Sequence, residues 1–192
     1  TLVADIASRG NPAIRIVPVR ISLSDAAVPP PIDEAAAARR LEAARASIAY
    51  MQSEGVRVAN MSWGFTARDI EDQLAAHHIE ADPEARKRRA QAIFDTLFDG
   101  FSALIAGAPE ILFVIAAGNA NQDLDFVRDV PGSINLPNVL SVASVDATGA
   151  LSTFASTGPS VDLHAPGENI EALVPGGGRI RTSGASLSAP QV

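Results

Sequence analysis

The chain contains no cysteine, which excludes a disulfide framework and a metal site built on thiolates. It also has no apolar run long enough to span a membrane. Acidic residues outnumber basic ones, and the net charge of −7 argues against a nucleic-acid partner, because phosphate binding needs a basic face. Hydrophobic residues make up 47% of the 192 residues, which is enough to bury the core of one domain.

Two motifs that bind phosphate or calcium are incomplete. Residues 176–178 are three glycines without the Lys-Ser/Thr of a phosphate-binding loop, so we predict a flexible turn. Polar residues alternate over residues 119–125 and could supply oxygen ligands to calcium, but the glycine and distal glutamate of an EF-hand loop are missing. A solvated turn is the favoured interpretation. We expect that the function of the protein requires no metal or cofactor. A structural calcium is possible, but nothing else in the sequence supports it.

Apolar, strand-like runs alternate with helical segments along the chain. The runs cover residues 14–21, 56–61, 111–117 and 139–145, and helical patterns cover residues 33–53, 66–79 and the segment that begins at Asp82. This order predicts a three-layer α/β fold with a mainly parallel, twisted sheet and helices on both faces. In such folds ligands bind beyond the carboxyl ends of the strands.

Small residues surround Ser186 near the end of the sequence. Residues 182–190 read Thr-Ser-Gly-Ala-Ser-Leu-Ser-Ala-Pro. A serine that attacks a carbonyl needs a tight turn, so that its oxygen stands clear of its neighbours, and then a helix whose first amides favour negative charge. Gly184 and Ala185 permit such a turn. Ser186 is therefore a candidate nucleophile.

This segment resembles the nucleophile motif of subtilisin-like serine proteases, Gly-Thr-Ser-Met-Ala-Ala/Ser-Pro. Residues 114–119, Val-Ile-Ala-Ala-Gly-Asn, resemble the family segment that ends in the oxyanion-hole asparagine. Residues 60–64, Asn-Met-Ser-Trp-Gly, resemble the substrate-binding strand, and residues 154–167 resemble the stretch between. Four motifs occur in family order across the chain, so we identify it by resemblance as part of a subtilase catalytic domain.

The resemblance implies peptide-bond hydrolysis through an acyl-enzyme, with a polypeptide substrate. Ser186 would be the nucleophile, and the Asn119 side chain and the Ser186 backbone amide would hold the oxyanion. An extended substrate would bind along the backbone. The residues implied in this binding are Ser62, Trp63, Gly64, Ala117 and Gly118. The alternative interpretation of Trp63 is that it anchors the core and does not contact the substrate. Ala120 offers no charge beside Asn119, which favours uncharged substrates.

The family's catalytic aspartate and histidine precede the serine in sequence. Residues 1–7 resemble the segment that follows the histidine, so we expect residues 1–192 to begin just after it and to end just after the nucleophile. We therefore expect this part alone to be inactive, and its partner to be a propeptide or the missing N-terminal segment. His164 is interpreted as a packed or surface residue. The resemblance favours a secreted or extracytoplasmic location.

Residues 66–81 are predicted to form a helical insertion, because the segment after the substrate-binding strand is longer than the family needs. Thr66 and Asp69 have the spacing of a capping box. His77 and His78 are adjacent, so they would diverge on a helix and are poor ligands for a shared metal. We expect the first helix of this segment to form part of the rim of the cleft.

Two departures from the family motif accompany the nucleophile, namely Ala185 in place of threonine and Gln191 in place of histidine. The alternative function is a catalytically inactive, peptide-binding relative that keeps the cleft. A nucleotide-binding domain is excluded, because no phosphate-binding glycine loop lies at a strand-to-helix turn.

Overall fold

The computed structural model describes residues 2–20 and 30–192. The helices are α1 (Leu2–Ser8), α2 (Glu34–Ser53), α3 (Ala67–Ala76), α4 (Pro83–Ala106) and α5 (Ala185–Ser188), and a 3-10 turn follows at Ala189–Gln191. The strands are β1 (Val58–Met61), β2 (Phe65–Thr66), β3 (Leu112–Ala116), β4 (Asp129–Val130), β5 (Val139–Val145), β6 (Leu163–Pro166), β7 (Ile170–Leu173) and β8 (Arg179–Thr182).

A parallel sheet forms the centre of the described part of the chain, with the strand order β1-β3-β5-β6. Ala59 of β1 pairs with Phe113 of β3, and Ile115 of β3 pairs with Ser141 of β5. Two short antiparallel pairs, β2 with β4 and β7 with β8, lie outside this sheet. The predicted parallel α/β architecture is confirmed.

Strand β3 at the centre of the sheet is apolar on both faces, and helices cover both faces. Phe113 and Ile115 of β3 belong to the larger core, which includes buried residues of α2, α3 and α4. Val114 and Ala116, which alternate with them, pack with Ala185 of α5 on the opposite face. This two-sided burial explains the absence of polar alternation in β3 and produces three layers.

The predicted helices form close to their predicted ends. The backbone N–H of Ala36 donates to Asp33 Oδ1 (2.7 Å) at the start of α2. Thr66 and Asp69 form both hydrogen bonds of a capping box at the start of α3. That helix ends at Ala76 rather than near Ile79. None of the helices in the described ranges is long and apolar enough to cross a membrane.

The strand predicted over residues 14–21 is wrong for its described part, residues 14–20, which form neither a strand nor a helix. Ile14 and Ile16 are each 43% exposed. Val58 on β1 is 57% exposed, and a groove of about 890 Å³ separates β1 from residues 14–20. In the described ranges no strand pairs with the outer edge of β1, and because the groove lies between that edge and residues 14–20, the apolar segment is not placed to pair with it. Ile21 lies outside the described residues.

Candidate active site

Ser186 is the second residue of α5, directly after the tight turn at Gly184 that follows β8. Gly184 has φ 154°, a conformation that side chains with a Cβ rarely adopt, and its N–H donates to the carbonyl of Gly167 (2.8 Å). Ala185 and Leu187 are buried, whereas Ser186 between them is partly exposed. The turn therefore presents the serine at the surface while its neighbours anchor the segment in the core.

Ser62, just after β1, forms two hydrogen bonds with Ser186. The hydroxyl of Ser62 donates to the backbone carbonyl of Ser186 (2.9 Å), and the hydroxyl of Ser186 donates to the backbone carbonyl of Ser62 (3.3 Å). Asn60 Nδ2 donates to the Ser62 hydroxyl (2.9 Å) and holds it in place. The structure thus joins the predicted substrate-binding strand directly to the predicted nucleophile.

The Asn119 amide is held beside the same turn. Its Oδ1 accepts a hydrogen bond from the backbone N–H of Ala185 (2.7 Å). Because an N–H can only be paired with an acceptor, this bond fixes which end of the amide faces the turn. Asn119 Nδ2 has no hydrogen-bond partner in the described part of the chain. The site therefore contains a fixed side-chain amide with a free donor, next to Ser186.

A pocket of about 190 Å³ opens beside Ser186. Among its lining residues are Ser186, Asn119 and four of the five predicted substrate-binding residues, Trp63, Gly64, Ala117 and Gly118. Ser62 does not line this pocket but contacts Ser186 as described above. The structure thus brings the predicted site residues together at the carboxyl ends of β1 and β3, although they lie far apart in sequence.

Trp63 lines the pocket and also packs against aromatic side chains of the core. Its ring stacks on Phe65, with 6.3 Å between centroids, and meets the edge of Phe101 at 5.4 Å. These contacts restrict the indole to one orientation. Trp63 is therefore a core anchor in addition to being a wall of the pocket.

Asp129 is a residue of the pocket that sequence reasoning missed. Its Oδ1 accepts a hydrogen bond from the N–H of Gly132 (3.0 Å). Burial raises the pKa of Asp129 to about 7, the Gly132 N–H opposes this shift, and the negative charge of Asp69 adds to it. An aspartate followed by Val-Pro carries no sequence signal for a pocket, since only the β2–β4 pairing brings it beneath Gly64.

The other polar candidates serve local structure. Asp123 Oδ1 accepts from the N–H of Asp125 (2.9 Å), and Asp125 Oδ1 accepts from the Ser160 hydroxyl (2.9 Å). Among the described residues no group of three His, Cys, Asp or Glu side chains is placed to hold a metal ion. His164 lies exposed on β6, paired with Ala143 of β5.

The two departures from the family motif have clear structural surroundings. The Ala185 side chain is fully buried against Val114 and its neighbours. Gln191 Nε2 donates to the carbonyl of Pro166 (2.5 Å) and to that of Leu187 (2.7 Å). Gln191 therefore connects the segment that carries Ser186 to β6.

These features define a three-layer α/β protein whose cleft combines a partly exposed serine, a fixed asparagine amide and an acidic pocket. The sequence profile of the subtilase family matches residues 5–192, so the chain belongs to this family. The family assignment made from the four motifs is confirmed.

Relatives in sequence match short parts of the chain. Subtilisin-like protease 1 of Trichophyton verrucosum is 44% identical over 78 residues, which cover 41% of this chain and 18% of that protein. Subtilisin-like protease 4 of Trichophyton equinum is 40% identical over 82 residues, which cover 43% of this chain and 20% of that protein. The matched region thus spans a fifth or less of these relatives.

Solved structures extend the similarity to the fold. A lanthipeptide protease matches 100% of this chain and 57% of its own chain, with a TM-score of 0.68 and 18% identity. The epidermin leader peptide processing serine protease from Staphylococcus aureus aligns with 79% of this chain over 42% of its own length, with a TM-score of 0.57 and 23% identity. At these identities the likeness establishes a shared fold.

Proposed function

We propose that this chain is the nucleophile-bearing part of a serine endopeptidase, with Ser186 as the nucleophile. The observation that carries the proposal is the Asn119 amide. Its Oδ1 is occupied by the N–H of Ala185, while Nδ2 remains free to donate at a position adjacent to Ser186. A fixed donor beside a serine stabilises the negative charge that develops on a carbonyl oxygen during acyl transfer.

The proposed reaction follows from these positions. Ser186 Oγ forms a bond to the carbonyl carbon of the scissile peptide, and its proton passes to a base. The carbonyl oxygen becomes negatively charged and accepts hydrogen bonds from Asn119 Nδ2 and the Ser186 backbone N–H. The carbon–nitrogen bond then breaks, the leaving amine takes the proton, and water hydrolyses the serine ester by the same steps.

The base and the group that orients it are proposed to lie outside residues 1–192. Within the described ranges, the Ser186 hydroxyl donates a hydrogen bond to the carbonyl of Ser62, and no side-chain base forms a hydrogen bond with this hydroxyl. In the subtilase family a histidine and an aspartate fill these roles, and Asp, His, Ser is their order in the chain. By this proposal residues 1–192 alone are inactive, and the full-length protein supplies the pair.

Residues 66–81 are proposed to be an insertion that forms part of the cleft wall. Thr66 and Asp69, which cap α3, both line the pocket beside Ser186. Ile70 and Leu74 of α3 are fully buried in the main core, so the helix has a fixed position. A rigid helix start at the pocket restricts which substrate side chains fit there.

Labelling with a fluorophosphonate tests the nucleophile in the full-length protein. We expect the probe to modify Ser186, as located by mass spectrometry, and the Ser186→Ala variant to lose the label. Ser183→Ala, three positions before Ser186 in the segment between β8 and α5, is the matched control and keeps it. If the folded wild-type protein takes up no label, the endopeptidase proposal fails, and the inactive peptide-binding relative becomes the better explanation.

A further inference from the structure

The pocket beside Ser186 contains a carboxylate whose charge is not balanced. Asp129 Oδ1 accepts one hydrogen bond, from the N–H of Gly132 (3.0 Å). Oδ2 accepts none from the part of the chain that the structure describes. A carboxylate with a free oxygen in a confined pocket is costly in isolation and gains much from a cationic partner.

Two glycines make room for this carboxylate. A Cβ on Gly64 would lie 2.6 Å from Asp129 Oδ1 and 2.8 Å from Oδ2, and a Cβ on Gly132 would lie 2.7 Å from Oδ1. The backbone on both sides therefore approaches the carboxylate as closely as it can. The arrangement is built around the acidic group rather than around an apolar side chain.

The charged groups around Asp129 do not neutralise it. Asp69, from the start of α3, also lines the pocket and adds negative charge. The adjacent Arg128 turns away, since it pairs with Asp95 of α4 (3.4 Å) and lies over the Phe98 ring. Arg40 lies over the Phe65 ring. No described cation forms an ion pair with Asp129, so the pocket has an acidic floor.

The same pocket is bounded by Asn119 and Ser186. On the proposed function, these residues fix the carbonyl that is attacked. The side chain of the substrate residue that carries this carbonyl is attached one bond away, and the pocket is the adjacent cavity that can receive it. A charge at the pocket floor is then in reach of a long side chain.

We propose that the pocket binds the lysine or arginine side chain of the residue that precedes the scissile bond, with Asp129 as its counter-charge. The proposal rests on the proposed function for the position of the scissile bond. It replaces the expectation of uncharged substrates, which depended on Ala120 alone. A basic side chain supplies the cation that the described residues do not supply to Asp129.

A binding measurement in the full-length Ser186→Ala variant tests the pocket without any need for catalysis. The probes are two peptides that differ in the C-terminal residue, lysine or norleucine, since norleucine keeps the aliphatic chain and lacks the ammonium group. We expect the lysine peptide to bind about ten- to a hundredfold more tightly, the range of a charge-assisted hydrogen bond. An arginine peptide shows which cation fits better.

Asp129→Asn in the same background keeps an acceptor for the N–H of Gly132 and removes the charge. We expect it to bring the ratio of the two affinities close to one. Asp125→Asn, which alters an exposed carboxylate outside the pocket, is the matched control and should leave the ratio unchanged. Thermal unfolding confirms that each variant is folded.

The inference is overturned if the two peptides bind equally, if a glutamine peptide binds better than the lysine peptide, or if the preference for lysine survives Asp129→Asn. Fluorophosphonate labelling of the wild-type protein is read separately. Absence of label together with a retained preference for lysine would reject the endopeptidase and keep the pocket, as the binding site of an inactive relative. Labelling of Ser186 together with equal affinities for the two peptides would support the endopeptidase and reject the basic-residue pocket.

Discussion

The backbone N–H of Ala185 donates to Oδ1 of Asn119 over 2.7 Å, one residue before Ser186. This single bond joins the segment after β3 to the turn that precedes Ser186. It satisfies a buried backbone donor and orients the amide at the same time. The structural contact of Asn119 and its proposed catalytic contribution therefore reside in different atoms, Oδ1 and Nδ2, and can be separated by substitution.

Asn119→Asp keeps an acceptor for the N–H of Ala185 and replaces the free donor with an anion. We expect nearly normal folding but a loss of turnover of about a hundred- to a thousandfold, the magnitude that removal of such a donor causes in subtilisin, a member of this family. The measurement is kcat with a saturating peptide in the full-length protein.

Asn119→Ala is the comparison that isolates the structural part. It removes both atoms and leaves the N–H of Ala185 without its acceptor, which costs stability of about 1–3 kcal/mol in addition to the lost turnover. Equal turnover in wild type and Asn119→Asp would show that Asn119 has a structural role only.

Gly64→Ala tests the close approach of the backbone to Asp129. The new Cβ would lie 2.6 Å from Oδ1, so the carboxylate has to shift. We expect a loss of about 1–3 kcal/mol of unfolding free energy in urea, as for other overpacked sites. In an Asp129→Gly background the same substitution should cost much less, because the colliding group is gone. Additive effects of the two substitutions would contradict the contact.

The pH dependence of stability isolates the charge of Asp129. Burial raises its pKa to about 7 in the folded state, above the usual value of 3.8. For an acid this direction means that ionisation opposes folding, so the penalty is absent below about pH 4 and grows as the pH rises towards 7. We expect Asp129→Asn to stabilise the protein at pH 8 and to have little effect near pH 4, as measured by urea unfolding at both values. A pH-independent difference would indicate that hydrogen bonding, not charge, dominates.

Thr66→Ala removes half of the capping box at the start of α3. The Thr66 hydroxyl accepts a hydrogen bond from the backbone N–H of Asp69, and Asp69 Oδ2 accepts one from the backbone N–H of Thr66 (2.7 Å). We expect a loss of about 1 kcal/mol of unfolding free energy. Thr66→Ser, which keeps the hydroxyl, is the control and should retain most of it. If both variants lose the same amount, the threonine methyl group rather than the cap is responsible.

Much of the fold follows from local sequence signals. The caps at Asp33, Thr66 and Asp82 and the uninterrupted apolar run before Ala117 each depend on residues close together in the chain, and each predicted element forms. Residues 14–20 carry an equally apolar pattern but form no strand. A strand needs a partner edge, and local sequence does not reveal whether a partner is available.

The residues of the candidate site also divide into those that local sequence reveals and those that only the tertiary structure reveals. Ser186 and Asn119 lie in motifs whose residue types are tied to their chemistry, so the sequence points to both. Asp129 has no motif, and its importance comes from the pairing of Phe65 with Val130, which places the carboxylate beneath Gly64. The proposed specificity residue therefore depends on a tertiary contact that residue patterns do not encode, whereas the proposed reacting serine and its neighbouring amide are recognisable from sequence.

Lysine binding in the pocket should depend on pH through Asp129. If the pocket holds a basic side chain as proposed, it binds that side chain best when Asp129 is ionised, and burial raises the pKa of Asp129 to about 7 in the free protein. The other charged group facing it is Asp69 of α3, while Arg128 and Asp95 of α4 pair with each other. The affinity of the Ser186→Ala variant for the lysine peptide should therefore be about tenfold lower at pH 6 than at pH 8. The norleucine peptide, measured by the same titration, should bind equally at both values. A parallel loss for both peptides would place the titrating group elsewhere, and loss of the pH dependence in Asp129→Asn would assign it to Asp129.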